Sequence, residues 1–117
     1  TNVAQGYFIG RTLGNDKVAL EGEPFDKGVR VLSSNVMPEH DEHYDLVVNV
    51  DSFTEMPSEI MSMYWEFAKR NAKMLLSINH EYNPHTVHEL YKDDNSVRPW
   101  RYSYPMRRGY IEEFLTW

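Results

Sequence analysis

The sequence predicts an α/β protein built around a βαβ unit, and three consecutive segments carry that prediction. "YDLVVNVD", 44–51, is nearly continuous in branched apolar residues, the pattern of a strand covered on both faces. "PSEIMSMYWEFAKRNA", 57–72, switches to helical spacing, and "KMLLSIN", 73–79, returns to the buried-strand pattern. A strand, a helix and a second strand of this length make a right-handed crossover, so the two strands are expected to run parallel.

Each element has its own justification. In the helix, Ile60, Tyr64, Phe67, Ala68 and Asn71 share one face, with Met61, Trp65 and Ala72 beside it. Pro57 suits its first turn, and Lys69, Arg70 and Lys73 complement the negative end of its dipole. Upstream, Val3, Ala4, Tyr7 and Phe8 are spaced as a helical stripe over 2–13, stopped at Gly14-Asn15. "KVALEG", 17–22, and "GVRVLSS", 28–34, are short strands, with Gly22, Pro24, Asp26 and Gly28 turning the chain between them. Residues 37–43 are polar and form a loop. Downstream, a short helix is expected from Asn83-Pro84 through Tyr91, and 92–96 is a solvated turn. The segment 107–117, rich in aromatic and branched residues, is expected to close the sheet as a strand.

Bulk properties narrow the function classes. With 117 residues the chain is expected to form one domain, 1–117. A net charge of −6 repels a phosphate backbone, and Arg98, Arg101, Arg107 and Arg108 make only a sparse basic patch, so no nucleic-acid partner is expected. The sequence has no cysteine, which removes disulfides, thiolate metal sites and cysteine nucleophiles together. No apolar run approaches the roughly 20 residues of a membrane helix, and the first residues lack a secretory-signal pattern. A cytoplasmic protein with no membrane partner is therefore expected. Thr1, in place of Met, allows for a processed, trimmed or excerpted chain.

Chemistry is expected where the parallel strands end, because open α/β sheets bind ligands beyond their carboxyl edges. Two polar ends are identifiable, "NVDSFTEM" at 49–56 and "INHEYN" at 78–83. Asp51, Ser52, Glu55, Asn79, His80 and Glu81 are thus expected to converge. Capping competes with this reading, since Ser52 or Thr54 can cap the following helix, with Asp51 and Glu55 favouring its positive end. His80, Glu81, His85, His88 and Glu89 offer metal-ligand types, but their spacing matches no ligand motif. A solvated helix face is the better reading, so no metal is expected. "RYSYPMRRGYIEE", 101–113, is dense in Arg and Tyr. Arg107 and Arg108 are candidates to bind an anionic or sugar-like ligand through guanidinium forks beside stacking rings. The alternative is that these arginines pair with the acidic surplus.

The stretch "YDLVVNVDSFTEMPSEIMSMYWEFAKRNAKMLLSINHE", with "YPMRRGYIEEFL" beyond it, resembles the later portion of the sugar O-methyltransferase family. The resemblance implies a partial Rossmann-like methyltransferase sheet, mostly parallel with an antiparallel closing strand, and S-adenosylmethionine as methyl donor. It implies that a sugar hydroxyl reacts near Asp51, Ser52, Glu55, His80 and Glu81, without fixing which of them is the base. His80, Asp51 and Glu81 are the catalytic candidates and Ser52 and Glu55 the substrate-binding ones, with His80 chosen as base because its intrinsic pKa suits proton abstraction near neutrality. The family holds its donor on a glycine-rich loop after a first strand and on an acidic residue ending a second. Neither element appears here, so S-adenosylmethionine binding by this chain alone is expected to be incomplete. Without those strands the sheet is expected to carry unpaired apolar edges, which invite a homo-oligomer. A stand-alone binding or assembly module is the alternative function.

Overall fold

A computed structural model of the protein describes residues 2–26 and 28–117. Its contacts divide the chain into two units, Thr1–His40 and Asp41–Trp117. In the first unit a helix, α1 (Asn2–Leu13), precedes two short strands, β1 (Val18–Leu20) and β2 (Val29–Val31). Although turn-forming residues separate these strands, they pair in parallel, with Ala19 opposite Arg30. The predicted stripe of α1 is not its buried face: Val3, Tyr7 and Phe8 are exposed, whereas Gly10 is buried. The small residues explain this. A Cβ at Gly6 would lie 2.6 Å from Leu20 Cδ2, so glycine lets the helix approach β1 closely.

The second unit contains the predicted βαβ core. β3 (Val47–Val50) is followed by α2 (Ser58–Asn71) and then β4 (Met74–His80), and the two strands run parallel in the register Val48–Leu76. A short helix, α3 (Val87–Tyr91), and a hairpin of β5 (Arg98–Ser103) and β6 (Tyr110–Thr116) complete the unit. The sheet order is β3-β4-β6-β5, and β6 is antiparallel to both of its neighbours. The protein is therefore of mixed α/β structure, and its described residues form one four-stranded mixed sheet and one two-stranded parallel sheet.

Helices cover one face of the larger sheet. Leu75 and Leu115, fully buried, meet Met61 and Trp65 of α2 and Val87 and Tyr91 of α3. The Trp65 and Trp117 rings pack edge-on at 5.7 Å, and the Trp117 indole donates to the Ala72 carbonyl.

Several expectations need correction. The strand at 44–51 is not covered on both faces. It is an edge strand of its sheet, and Val48 and Val50 are 55% and 54% exposed. Helix α2 is rotated relative to the predicted stripe: Met61, Trp65, Ala68 and Asn71 are buried, whereas Ile60 is exposed. The bulkiest apolar side chain, Trp65, claims the centre of the interface. Neither Ser52 nor Thr54 caps α2, because Pro57 occupies the N-cap position without a side-chain cap. The helix expected from Asn83 begins only at Val87, after Thr86, whose capping box with Glu89 fixes its start. The strand β5 lies where none was expected. It is an exposed edge strand that contains Pro99, a residue edge strands tolerate because it lacks an amide hydrogen.

Candidate ligand site at the carboxyl edge of the sheet

The sheet directions bring four chain segments to one edge. β3 and β4 end there, β5 ends there, and β6 begins there, so the hairpin loop 104–109 adjoins Asp51 and His80. The polar ends of β3 and β4 first satisfy each other. Asn79, buried, donates from Nδ2 to Asn49 Oδ1 (2.8 Å) and Ser77 Oγ (2.9 Å), while its Oδ1 accepts from the Ser52 amide (3.0 Å). Asn49 in turn donates to Ser52 Oγ (2.5 Å) and accepts from the Phe53 amide. Thr54, also buried, accepts from Asn83 Nδ2 (2.8 Å). Much of the polarity after β3 thus terminates strands and pins loops, as buried polar groups require.

Asp51 does something different. Its φ of 55° lies in the left-handed region, uncommon outside glycine and best tolerated by Asp and Asn. Its amide donates to the Ile78 carbonyl, extending the parallel ladder by one bond. Its carboxylate accepts from the Tyr110 hydroxyl (2.5 Å) and from Arg107 Nη1 (2.6 Å). The Tyr110 hydrogen bond, and after it that of Arg107, hold the Asp51 carboxyl below the usual carboxylate range. The same bond raises Tyr110, because an ionised phenol would face the carboxylate. Arg107 also lies over the Tyr110 ring at 4.3 Å. Asp51 is therefore the clasp that ties the hairpin loop to the end of β3.

His80 packs edge-on against the Tyr110 ring at 5.1 Å, and its Nδ1 accepts from the Tyr82 amide (3.2 Å). A neutral ring in this setting carries its proton on Nε2. That nitrogen faces Gly109, whose φ is 84°, and a Cβ added there would lie 2.9 Å from it. Beyond His80 runs a charge chain. Glu81 Oε2 is ion-paired with Arg101 Nη2, Arg101 Nε donates to Glu113 Oε1 (3.0 Å), and the Tyr91 hydroxyl donates to that same oxygen (2.6 Å). Glu113 is buried, so its charge depends on these two donors. Burial, reinforced by the Glu113 hydrogen bond, pushes the Tyr91 hydroxyl well above the ordinary phenol range.

Between the hairpin loop and the end of β4 lies a pocket of about 380 Å³. Glu81, Tyr82, Ser103, Tyr104, Arg108 and Tyr110 are among its lining residues, with Arg107, Gly109 and Ile111 completing it. Of the residues expected from the sequence, Glu81, Arg107 and Arg108 line this pocket. Asp51 lies one contact behind it, through Arg107 and Tyr110. His80 stands against the Tyr110 ring, and Ser52 is engaged in the amide network. Glu55 is exposed on the turn after β3. The alternative reading of the arginine-rich segment holds for two members, since Arg101 and Arg107 pair with carboxylates of this unit. Sequence reasoning did not single out Tyr91, Arg101, Ser103, Tyr104, Tyr110 or Glu113 as site residues. For those in 101–113 the only signal was the density of Arg and Tyr in that segment, and Tyr91 lies outside it.

Among the described residues no three His, Asp or Glu side chains gather as a metal site, and no helix is long and apolar enough to cross a membrane. Comparisons with protein-family models, with curated proteins and with solved structures returned no match for the chain.

Proposed function

We propose that Asp41–Trp117 is the acceptor-side part of a Rossmann-like methyltransferase domain of the sugar O-methyltransferase kind, and that its edge pocket receives a small hydroxylated ring. The observation that carries this reading is the pocket itself. It opens where β4 and β5 end and β6 begins, at the same sheet edge as the carboxyl end of the parallel β3–β4 pair, and it is lined by tyrosines and polar side chains. The antiparallel β6 beside β4 supports it, since the resemblance implies a closing strand of that direction.

The residues at this edge do not suit S-adenosylmethionine by themselves. The one glycine of the pocket wall, Gly109, faces His80 rather than an open cradle, and the Asp51 carboxylate is already engaged by Tyr110 and Arg107. The role assigned here is therefore binding and orientation of an acceptor. His80, with Nδ1 engaged, orients the Tyr82 backbone and supports the Tyr110 ring. Saturation-transfer NMR with a panel of neutral and charged monosaccharides tests the reading. Transfer to at least one ring, lost in Tyr104→Ala, is the expected result, and silence across the whole panel overturns it. Titration with S-adenosylhomocysteine is expected to show no binding, and a tight complex refutes the acceptor-side assignment.

A second reading, an assembly module, is favoured by a specific observation. β3 is an edge strand, and Leu46, Val48 and Val50 on or beside it are all exposed. Sedimentation velocity at micromolar concentration is its test: a dimer that Val48→Lys dissociates supports assembly, and a clean monomer removes it.

A further inference from the structure

The pocket walls carry charges whose partners can be traced. Arg107 is paired with Asp51, and Glu81 shares Arg101 with Glu113. Arg108 lines the same pocket and makes no ion pair or hydrogen bond among the described residues. Arg108 is thus the cation of this pocket wall that no carboxylate engages among the described residues. The same pocket is lined by Tyr82, which is 84% exposed, by Tyr104 and by Ser103. The Tyr110 ring is less available, because Arg107 already lies over it.

We infer that the pocket selects a monosaccharide bearing an anionic substituent, a phosphate or a carboxylate, with Arg108 binding the anion. This rests on the acceptor-side reading above and narrows its substrate class. Tyr82 and Tyr104 offer stacking faces to the ring, and Ser103 and Glu81 meet its hydroxyls. A guanidinium fork matches either anion in bidentate fashion, so the shared chemistry is an oxyanion on a sugar ring. The volume of about 380 Å³ is at the small end for ligand pockets and fits one ring with its substituent rather than an oligosaccharide.

The test titrates the full chain with glucose 6-phosphate, glucuronate, glucose and inorganic phosphate, by NMR or calorimetry. At least one anionic sugar is expected to bind about tenfold more tightly than glucose, the size of one charge-assisted contact. Which of the two wins distinguishes phosphate from carboxylate. Arg108→Gln is expected to abolish that advantage, Arg108→Lys to restore part of it, and Arg98→Gln, at the opposite end of β5, to leave it unchanged. The advantage is also expected to shrink as salt is raised. Equal affinity for glucose and the anionic sugars overturns the inference while leaving the acceptor-side reading in place. An advantage that survives Arg108→Gln overturns the role of Arg108. Inorganic phosphate binding as tightly as glucose 6-phosphate overturns the sugar reading itself, and binding of none of the four overturns both.

Discussion

Replacing Tyr91 by Phe removes one oxygen from the interior, and the structure says what that oxygen does. The Tyr91 hydroxyl donates at 2.6 Å to Glu113, whose side chain is 5% exposed and whose other donor is Arg101. A hydrogen bond to a charged acceptor contributes roughly 1.5–3 kcal/mol, and a buried carboxylate cannot recover it from water. Tyr91 is 4% exposed and the Phe ring fills the same space, so no cavity term is added. The expected loss is about 2 kcal/mol. With a urea slope of about 1 kcal/mol/M, suited to a small unit, the midpoint falls by about 2 M. Tryptophan fluorescence is the right readout, because Trp65, Trp100 and Trp117 all lie in Asp41–Trp117. The pH dependence gives a second check. Folding raises the Tyr91 pKa above its ordinary 10.0, so its contribution is complete below that pH and is lost as pH rises beyond it. The gap between the two proteins is therefore expected to narrow above pH 10. A midpoint unchanged by the substitution at neutral pH refutes the claim that Glu113 depends on Tyr91.

Two further outcomes follow from other contacts. Lys69, and after it Ser96, hold the Asp94 carboxyl down to about 2, below its ordinary 3.8. Its contribution is therefore present above pH 3.8 and lost as pH falls toward 2, so the difference in urea midpoint between the parent and Asp94→Asn is expected to vanish across that window; a constant difference refutes the assignment. Gly109→Ala forces a side chain into the left-handed region and against His80 Nε2, at a cost of about 1–2 kcal/mol; the expected signs are a lower melting temperature and a shifted His80 ring resonance, and an unshifted ring refutes the contact.

The part of the fold legible in the sequence was the part governed by local pattern. β3, α2 and β4 announce themselves because branched residues, then helical spacing, then branched residues again follow one another without a competing signal. What the pattern could not say was which faces would be covered. The run Leu46–Val50 looks doubly buried because every residue but Asn49 is apolar, yet coverage depends on neighbours in the sheet, and β3 has a partner on one side only. β5 escaped for the opposite reason. As an exposed edge strand it carries Arg98, Pro99, Arg101 and Ser103, and its strand character comes from pairing with β6 rather than from its own composition.

The site divides along the same line. The carboxyl edge was legible, since a crossover connection makes β3 and β4 parallel and so brings their carboxyl ends to one edge. The insertion of β6 between β4 and β5 was not, and it is what puts Tyr110 opposite His80 and lets Tyr110 and Arg107 reach Asp51 across 59 and 56 residues of sequence. This changes the meaning of the polar residues after β3. A carboxylate held low by two strong hydrogen bonds is a weak proton acceptor, so Asp51 serves by fixing the hairpin loop. An arginine one residue beyond Arg107, borne by that same clasped loop and left without a carboxylate, keeps its charge available. The loop is thus held by one arginine and presents the other in the pocket wall, which is why the inferred anion contact is assigned to Arg108 rather than Arg107.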